Sequence, residues 1–177
     1  MFIYKSNIDK EICKDIIKIF DQNDFKKPIN TAHTNMNQLL LSSADPVLDK
    51  YISQLFEIKN TYVKKYKFID EGQDPWELHE RIKIQKYEPG ESYFSWHAES
   101  TGYEGNNNRI LVFSTFLNTI KRGGETEFFY QKEKIKAEEG RTILFPAFWT
   151  HTHRGNTTKE TKYIITGWYT YLSKTPA

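Results

Sequence analysis

The chain has a single cysteine, Cys13, in 177 residues. With no second thiol, an internal disulfide framework and any zinc site built on cysteines are excluded. Cys13 itself falls among apolar residues of an expected helix and reads as inert packing, since a buried free cysteine behaves as a small hydrophobe. An excess of one charge is also missing, with 25 Lys+Arg facing 23 Asp+Glu for a net charge of +2. That is no footprint of a nucleic-acid or anionic-membrane binder. Arginine is scarce, five against twenty lysines, which further weakens any case for bidentate reading of phosphate or guanine. No segment approaches the roughly 18 apolar residues of a membrane span. The opening MFIYKSNIDKEICK lacks the apolar core and cleavage site of a signal peptide. The expectation is a soluble, cytoplasmic protein with no membrane partner and with nucleic acid disfavoured. What the chain does have is aromatic bulk. Twelve Phe, 11 Tyr and 4 Trp make up 15% of it, ample for a core and incompatible with disorder.

The length corresponds to one domain over 1–177, with a helical part at 1–76 and a β core at 77–172. From Asn7 to Phe20, Ile8, Ile12, Ile16 and Ile19 recur at spacings of four, four and three. They trace one stripe of an amphipathic helix, with Ser6 or Asn7 as N-cap. A second helix starts at Asp45-Pro46 and runs to about Tyr66, with Leu48, Tyr51 or Ile52, Leu55, Ile58 and Tyr62 on one face. Between the two, residues 21–43 read as polar and irregular, and the EGQDP cluster from Glu71 to Pro75 ends the helical regime. After Trp76 the period becomes two. Ile82 and Ile84 alternate with polar neighbours, RILVFSTFL reads as a strand buried on both faces, and EFFY, TILF and KYIITGWYTYL follow between turns. The expected class is mainly β, a barrel or two-sheet sandwich with the helices packed outside.

Five histidines carry the candidate chemistry: His33, His79, His97, His151 and His153. His97 stands out because Glu99 follows two residues on in SWHAES, and residues i and i+2 of an extended strand point to one face. Imidazole and carboxylate then converge on a point, as two metal ligands must. His151 and His153, in FPAFWTHTHRG, are again two apart, so either can supply a third ligand. Spacing alone equally allows a surface pair that holds no metal. Two histidines and a carboxylate form a facial triad that leaves about three positions open on iron(II), whereas structural zinc asks for a closed tetrahedral set. Lys162 begins KYIITGWYTYL, where alternation puts Lys162, Ile164, Thr166 and Trp168 on one face. If that face points inward, the ammonium needs a partner that the strand does not offer and a ligand carboxylate would. Snorkelling at the strand edge is the competing account.

Taken in order, these segments resemble the iron(II)- and 2-oxoglutarate-dependent oxygenases, in particular their prolyl 4-hydroxylase-like branch, over roughly Leu78 to Leu172. KIQKYEPGESYFSWHAE resembles the family's tyrosine, proline-glycine turn and H-x-D strand. RILVFSTFLN with GGETEFF resembles its arginine-led strand and GGET turn. EEGRTILFPAFWTHTHRG resembles its glycine turn and distal histidine, and KYIITGW the strand of its cosubstrate-binding basic residue. The resemblance implies a double-stranded β-helix (jelly-roll) core with the N-terminal helices outside it. It implies iron(II) held by His97, Glu99 and His153. His153 is preferred to His151 because relatives place the basic residue nine or ten positions after the distal histidine, and Lys162 is nine after His153. It further implies 2-oxoglutarate as cosubstrate with its far carboxylate on Lys162 and with Tyr87, Thr126 and Trp168 around it, dioxygen as co-reactant, and ascorbate as a further cofactor. The implied reaction is hydroxylation of a C–H bond in a prolyl peptide, an amino acid or another small molecule, releasing succinate and CO2. A non-catalytic or 2-oxoglutarate-independent cupin-like metal-binding module is the alternative. A nucleic-acid demethylase is disfavoured, because no arginine-rich stretch follows the distal histidine.

Two departures from the family pattern accompany the likeness. Glu99 stands where Asp is commoner, one methylene longer, and Phe116 stands where some relatives place a tyrosine on the cosubstrate. Arg109 reads equally as a surface ion pair or a substrate contact. Tyr93, Phe94, Trp96, Trp149 and Trp168 form a candidate aromatic wall against water.

Overall fold

The computed structural model describes residues 2–172. A short strand, β1 (Tyr4–Asn7), occupies the two residues expected to cap the first helix, pairing Ser6 with Thr142 and Asn7 with Arg141. The cap therefore falls to Asp9, whose carboxylate accepts the Glu11 N–H at 2.9 Å, and α1 runs Lys10–Gln22. Its buried stripe is Cys13, Ile16 and Phe20, rotated from the expected isoleucine line, with Ile12 and Ile19 half-buried at its margins. The second helix starts as read. Asp45 accepts the Val47 N–H at 3.1 Å, Pro46 opens a 3-10 turn (Pro46–Leu48), and α2 follows over Asp49–Lys65. Leu48, Tyr51, Leu55, Ile58 and Tyr62 are all buried.

Residues 21–43 are not irregular. They hold a hairpin, β2 (Lys27–Asn30) and β3 (Asn35–Ser42), and β3 pairs along β5 (Arg81–Tyr87), Leu39 facing Ile84. The alternation is hidden because Gln38 points with Met36 into a polar cavity, so neither face of β3 looks conventionally solvent-exposed. The nominally helical part of the chain thus contributes three strands to one sheet with the β core.

The remaining strands are β4 (Trp76–Leu78), β6 (Arg109–Phe116), β7 (Thr126–Phe128), β8 (Glu133–Ile135), β9 (Arg141–Pro146), β10 (His153–Gly155) and β11 (Lys162–Tyr171). The large sheet has the order β1-β9-β6-β11-β5-β3-β2, with β4 also on β11, and a small sheet has the order β10-β7-β8. Every pairing is antiparallel. This is the jelly roll with helices outside. On the outer face of the large sheet, Leu39, Ile82, Ile84, Leu111, Phe113, Leu144 and Ile165 pack with the buried stripes of α1 and α2. At about 1.5–3 kcal/mol per fully buried aliphatic or aromatic side chain, this face anchors the fold. On the inner face, Val112, Phe116, Ile143, Phe145 and Trp168 cluster with Phe128 and Ile135 of the small sheet. Between the helices and the sheet, a buried hydroxyl chain is paired throughout, Tyr51–Thr115 at 2.9 Å and Thr115–Thr142 at 2.7 Å.

The turn beside Lys162 requires glycine. Gly123 and Gly124 lie at φ 77° and 71°, and a Cβ on Gly123 would stand 2.2 Å from the Thr157 carbonyl oxygen. This turn presents the Gly124 carbonyl to Lys162. Among the described residues, no helix is long and apolar enough to cross a membrane.

Candidate active site

The inner face of the large sheet and the small sheet enclose a cavity of about 520 Å³. At one side of it lie His97, Glu99 and His153. His97 lies outside the ladder strands. It sits in an extended segment joined to β10 by one bridge, with His97 N–H donating to the His153 carbonyl at 3.0 Å and His153 N–H returning to the His97 carbonyl at 2.9 Å. Glu99 is pinned two residues on, its N–H donating to the Ala147 carbonyl at 3.0 Å. His97 and Glu99 still face one side, as residues i and i+2 of extended backbone do.

Glu99 Oε1 lies 3.5 Å from His97 Nε2 and 3.7 Å from His153 Nε2, and the three donor atoms fall within 4.8 Å of one another. Both imidazoles are set in the tautomer a metal requires. His97 Nδ1 lies 2.9 Å from the Ser95 carbonyl and His153 Nδ1 3.0 Å from the His151 carbonyl. A carbonyl oxygen only accepts, so each Nδ1 carries the proton and each Nε2 offers its lone pair to the cluster. Burial, with His97 beside it, pushes His153 down to about 4, which keeps it neutral. Tyr93 stacks on His97 at 3.9 Å between centroids, and Phe128 and Phe145 pack around His153 at 5.6 and 4.9 Å.

Glu99's second oxygen is committed elsewhere. Oε2 accepts from Trp168 Nε1 at 3.0 Å and Arg109 Nη1 at 3.3 Å, and the Arg109 guanidinium stacks 3.7 Å from the Trp168 ring centroid. Burial alone raises the Glu99 carboxyl, but the His97 contact and the surrounding charges, Arg109 among them, hold it well below the usual carboxylate range. Arg109 is thus no surface ion pair, since it lies half-buried at the cavity wall against Glu99. It fixes one end of a carboxylate whose other end faces the imidazoles.

Lys162, Ile164, Thr166 and Trp168 all line the cavity, together with Tyr87 of β5 and Thr126 of β7. Lys162 is 3% exposed, so it does not snorkel. Its ammonium donates to the Gly124 carbonyl at 3.2 Å and lies 4.9 Å from the centroid of Tyr87. Burial lowers its pKa to about 8, with Glu125 partly offsetting the effect. Tyr87 is buried and its hydroxyl donates to Gln85 Oε1 at 3.1 Å. His151, by contrast, is buried in the turn Trp149–His151 with Nδ1 3.0 Å from Thr150 Oγ1, and it does not join the cluster. Phe116 packs in the inner apolar cluster and does not line the cavity.

These features point in one direction, and the sequence decides it. A profile of the 2OG-Fe(II) oxygenase superfamily matches residues 82–170, half of the chain. The chain belongs to this superfamily. Its fold is similar to that of the viral collagen prolyl hydroxylase of Paramecium bursaria Chlorella virus-1 in its 2OG complex (TM-score 0.76, 20% identity, 97% of each chain covered). A Pseudomonas putida prolyl-4-hydroxylase is also similar (TM-score 0.75, 12% identity, 97% of this chain and 94% of that one). So is a Trichoplax adhaerens prolyl hydroxylase solved with a hypoxia inducible factor peptide fragment (0.74, 14% identity, 96% and 83%). No curated protein matches the chain by sequence.

As an oxygenase of this superfamily the protein uses iron(II) and 2-oxoglutarate, and its residues fit both. Two unprotonated Nε2 atoms and a carboxylate oxygen at the separations given can share one ion at the roughly 2 Å metal–ligand distances of first-row metals. Lys162 is a buried cation, and among the described residues no carboxylate lies within ion-pair distance of it. The aromatic wall is only partly present. Tyr93 and Trp168 line the cavity, but Phe94, Trp96 and Trp149 are 42%, 37% and 67% exposed. Alternation explains Trp96, which points outward because His97 points in. Sequence reasoning missed the clamp on Glu99, the cavity wall of Thr34 with Met36 and Gln38 of β3, and the cavity position of Lys83.

Proposed function

We propose that the protein hydroxylates a C–H bond of a prolyl or related amino-acid unit, in a peptide or a small molecule. In this reading His97 Nε2, His153 Nε2 and Glu99 Oε1 hold iron(II), and Lys162 receives the far carboxylate of 2-oxoglutarate beside Tyr87, Thr126 and Trp168. The convergence of those three donors, with both Nδ1 atoms tied to backbone carbonyls, carries the reading. Support for the substrate class comes from the fold shared with collagen-type and other prolyl hydroxylases.

When bound, iron and 2-oxoglutarate supply the oxidising chemistry, in which dioxygen is consumed and succinate and CO2 are released. The chain's own work is binding, orientation and exclusion of water. Three protein donors on one side leave about three positions for other ligands. Arg109 and Trp168 keep Glu99 Oε2 occupied, so the longer glutamate arm would offer Oε1 to the metal. Tyr93 covers the outer side of His97, and Phe128 and Phe145 seal His153 from solvent.

Anaerobic titration of the protein with iron(II) and 2-oxoglutarate tests the reading. The expected result is a visible metal-to-ligand charge-transfer band, absent when either is omitted, followed in air by succinate release that a prolyl peptide or proline derivative stimulates. A protein that binds iron without developing the band is a metal-binding module, and the proposal fails.

A further inference from the structure

Lys83 is a cavity lysine that the reading above leaves without a task. It lies on β5, facing the cavity with Gln85 and Tyr87, and is paired across the ladder with Thr166 of β11. Its ammonium stands 4.7 Å from the centroid of Trp168, the ring that also carries Arg109. The charged groups acting on it are Glu99 and Arg109. Glu99 is already committed on both oxygens, Oε1 to the imidazoles and Oε2 to Trp168 and Arg109. Among the described residues, no carboxylate forms an ion pair with Lys83. Burial pulls its pKa below the ordinary lysine range, as expected of a half-buried ammonium without a partner.

The cavity's charge sums the same way. Its lining cations are Lys83, Arg109, Arg154 and Lys162, and its one lining carboxylate is Glu99. Arg154 is satisfied by Glu127, at 3.0 and 2.9 Å. The two charges of iron(II) cancel those of 2-oxoglutarate, and Glu99 offsets Arg109, its ion-pair partner at 3.3 Å. Lys162 takes the cosubstrate's far carboxylate in this reading, which leaves Lys83 without a counter-charge over Trp168, whose indole N–H touches Glu99. Lys83 is not a second hand for the cosubstrate's tail. Tyr87, the ladder partner of Lys162, lies four residues beyond Lys83, about 13 Å along the strand. The wall between them is polar and neutral, with Gln85 Nε2 donating to Gln38 Oε1 at 3.2 Å.

Resting on the proposed hydroxylase reading, we infer that the substrate carries a carboxylate and that Lys83 binds it, in the field of Arg109, with the target C–H bond held beside the His97–Glu99–His153 cluster. The carboxylate is either the terminal one of a free acid or an acidic side chain next to the reacting unit. A neutral interior prolyl segment leaves Lys83 unpaired and is the poorer substrate. A charge-assisted bond in a half-buried site is worth about tenfold or more in affinity.

Two matched probe pairs test this on the anaerobic iron(II)–2-oxoglutarate complex, read by the perturbation of its charge-transfer band and then by succinate release. The first is N-acetyl-L-proline against its amide, and the second is acetyl-Pro-Asp-amide against acetyl-Pro-Asn-amide. The charged member of one pair is expected to half-saturate at about a tenth of the concentration of its neutral partner, and the pair that responds identifies the source of the carboxylate. Lys83→Met should erase that preference through KM, and Lys83→Arg should keep it. Band formation in Lys83→Met shows that the variant is folded and loaded. Equal binding of charged and neutral probes, or no perturbation by any of them, overturns the inference. So does a Lys83→Met variant whose 2-oxoglutarate requirement rises more than its probe requirement, because Lys83 then belongs to the cosubstrate. Failure of the band itself would instead sink the hydroxylase reading, so the two failures are distinguishable.

Discussion

Strands β5 and β11 send alternate side chains into two environments that share only a backbone. Toward the helices they present Ile82, Ile84 and Ile165, buried with Cys13, Leu55 and Tyr62. Toward the cavity they present Lys83, Gln85, Tyr87, Lys162, Thr166 and Trp168. The helix face gains from removing apolar area from water and accepts any residue that fills its volume. The cavity face holds two lysines and an amide chain that gain nothing from burial and cost free energy there unless something pairs with them. A register slip of one residue would exchange the two sets, so the apolar face holds the polar one in place. The comparison teaches that the scaffold fixes positions, whereas the cavity is incomplete without its ligands.

The sharpest break comes at the proposed iron donors. His97→Ala or His153→Ala should abolish the charge-transfer band and turnover, exceeding the roughly 10–100-fold that loss of an outer partner costs. His151→Ala should retain both, and the opposite outcome moves the distal ligand to His151. On the helix face, Leu55→Ala should lower stability by about 2–5 kcal/mol in denaturant unfolding, with 2-oxoglutarate affinity unchanged while the protein is folded. On the cavity face, Lys162→Met should raise the half-saturating 2-oxoglutarate concentration about thirtyfold, roughly 2 kcal/mol, with little effect on iron.

The same lysine makes a pH prediction. Its pKa is depressed to about 8, and the protonated form is the one that pairs with a carboxylate. Half-saturating 2-oxoglutarate should therefore stay flat below about pH 7 and climb above pH 8 by up to about tenfold per unit. Lys162→Arg should remove the climb, because a guanidinium stays charged throughout. The smallest effect is expected at the clamp. Trp168→Phe deletes the 3.0 Å bond to Glu99 Oε2 and should weaken iron binding by about tenfold, read as the iron concentration that half-develops the band.

The pattern of legibility follows from how local each cause is. The β core, the second helix and the facing of Lys162, Thr166 and Trp168 could be read because they depend on period and caps. The hairpin at β2 and β3 could not, because Met36 and Gln38 face a polar cavity that only the folded chain creates. The cap at Asp9 was missed for a similar reason, since Ser6 and Asn7 are taken by a strand partner more than 130 residues away. At the site, H-x-E spacing brought out His97 and Glu99, yet the choice between His151 and His153 rested on family spacing. In the structure, the backbone bridge from His97 to His153 places one imidazole in the cluster and leaves the other in a turn.

Alternation, caps and motif order are properties of neighbours along the chain, and they alone determined a jelly roll with outer helices and the family to which it belongs. The ring of contacts around Glu99, the seclusion of Lys162 and the unpaired charge of Lys83 join segments that are distant in sequence. Pair distance and solvent exclusion exist only once the sheets have closed, and for that reason the tertiary structure decided them.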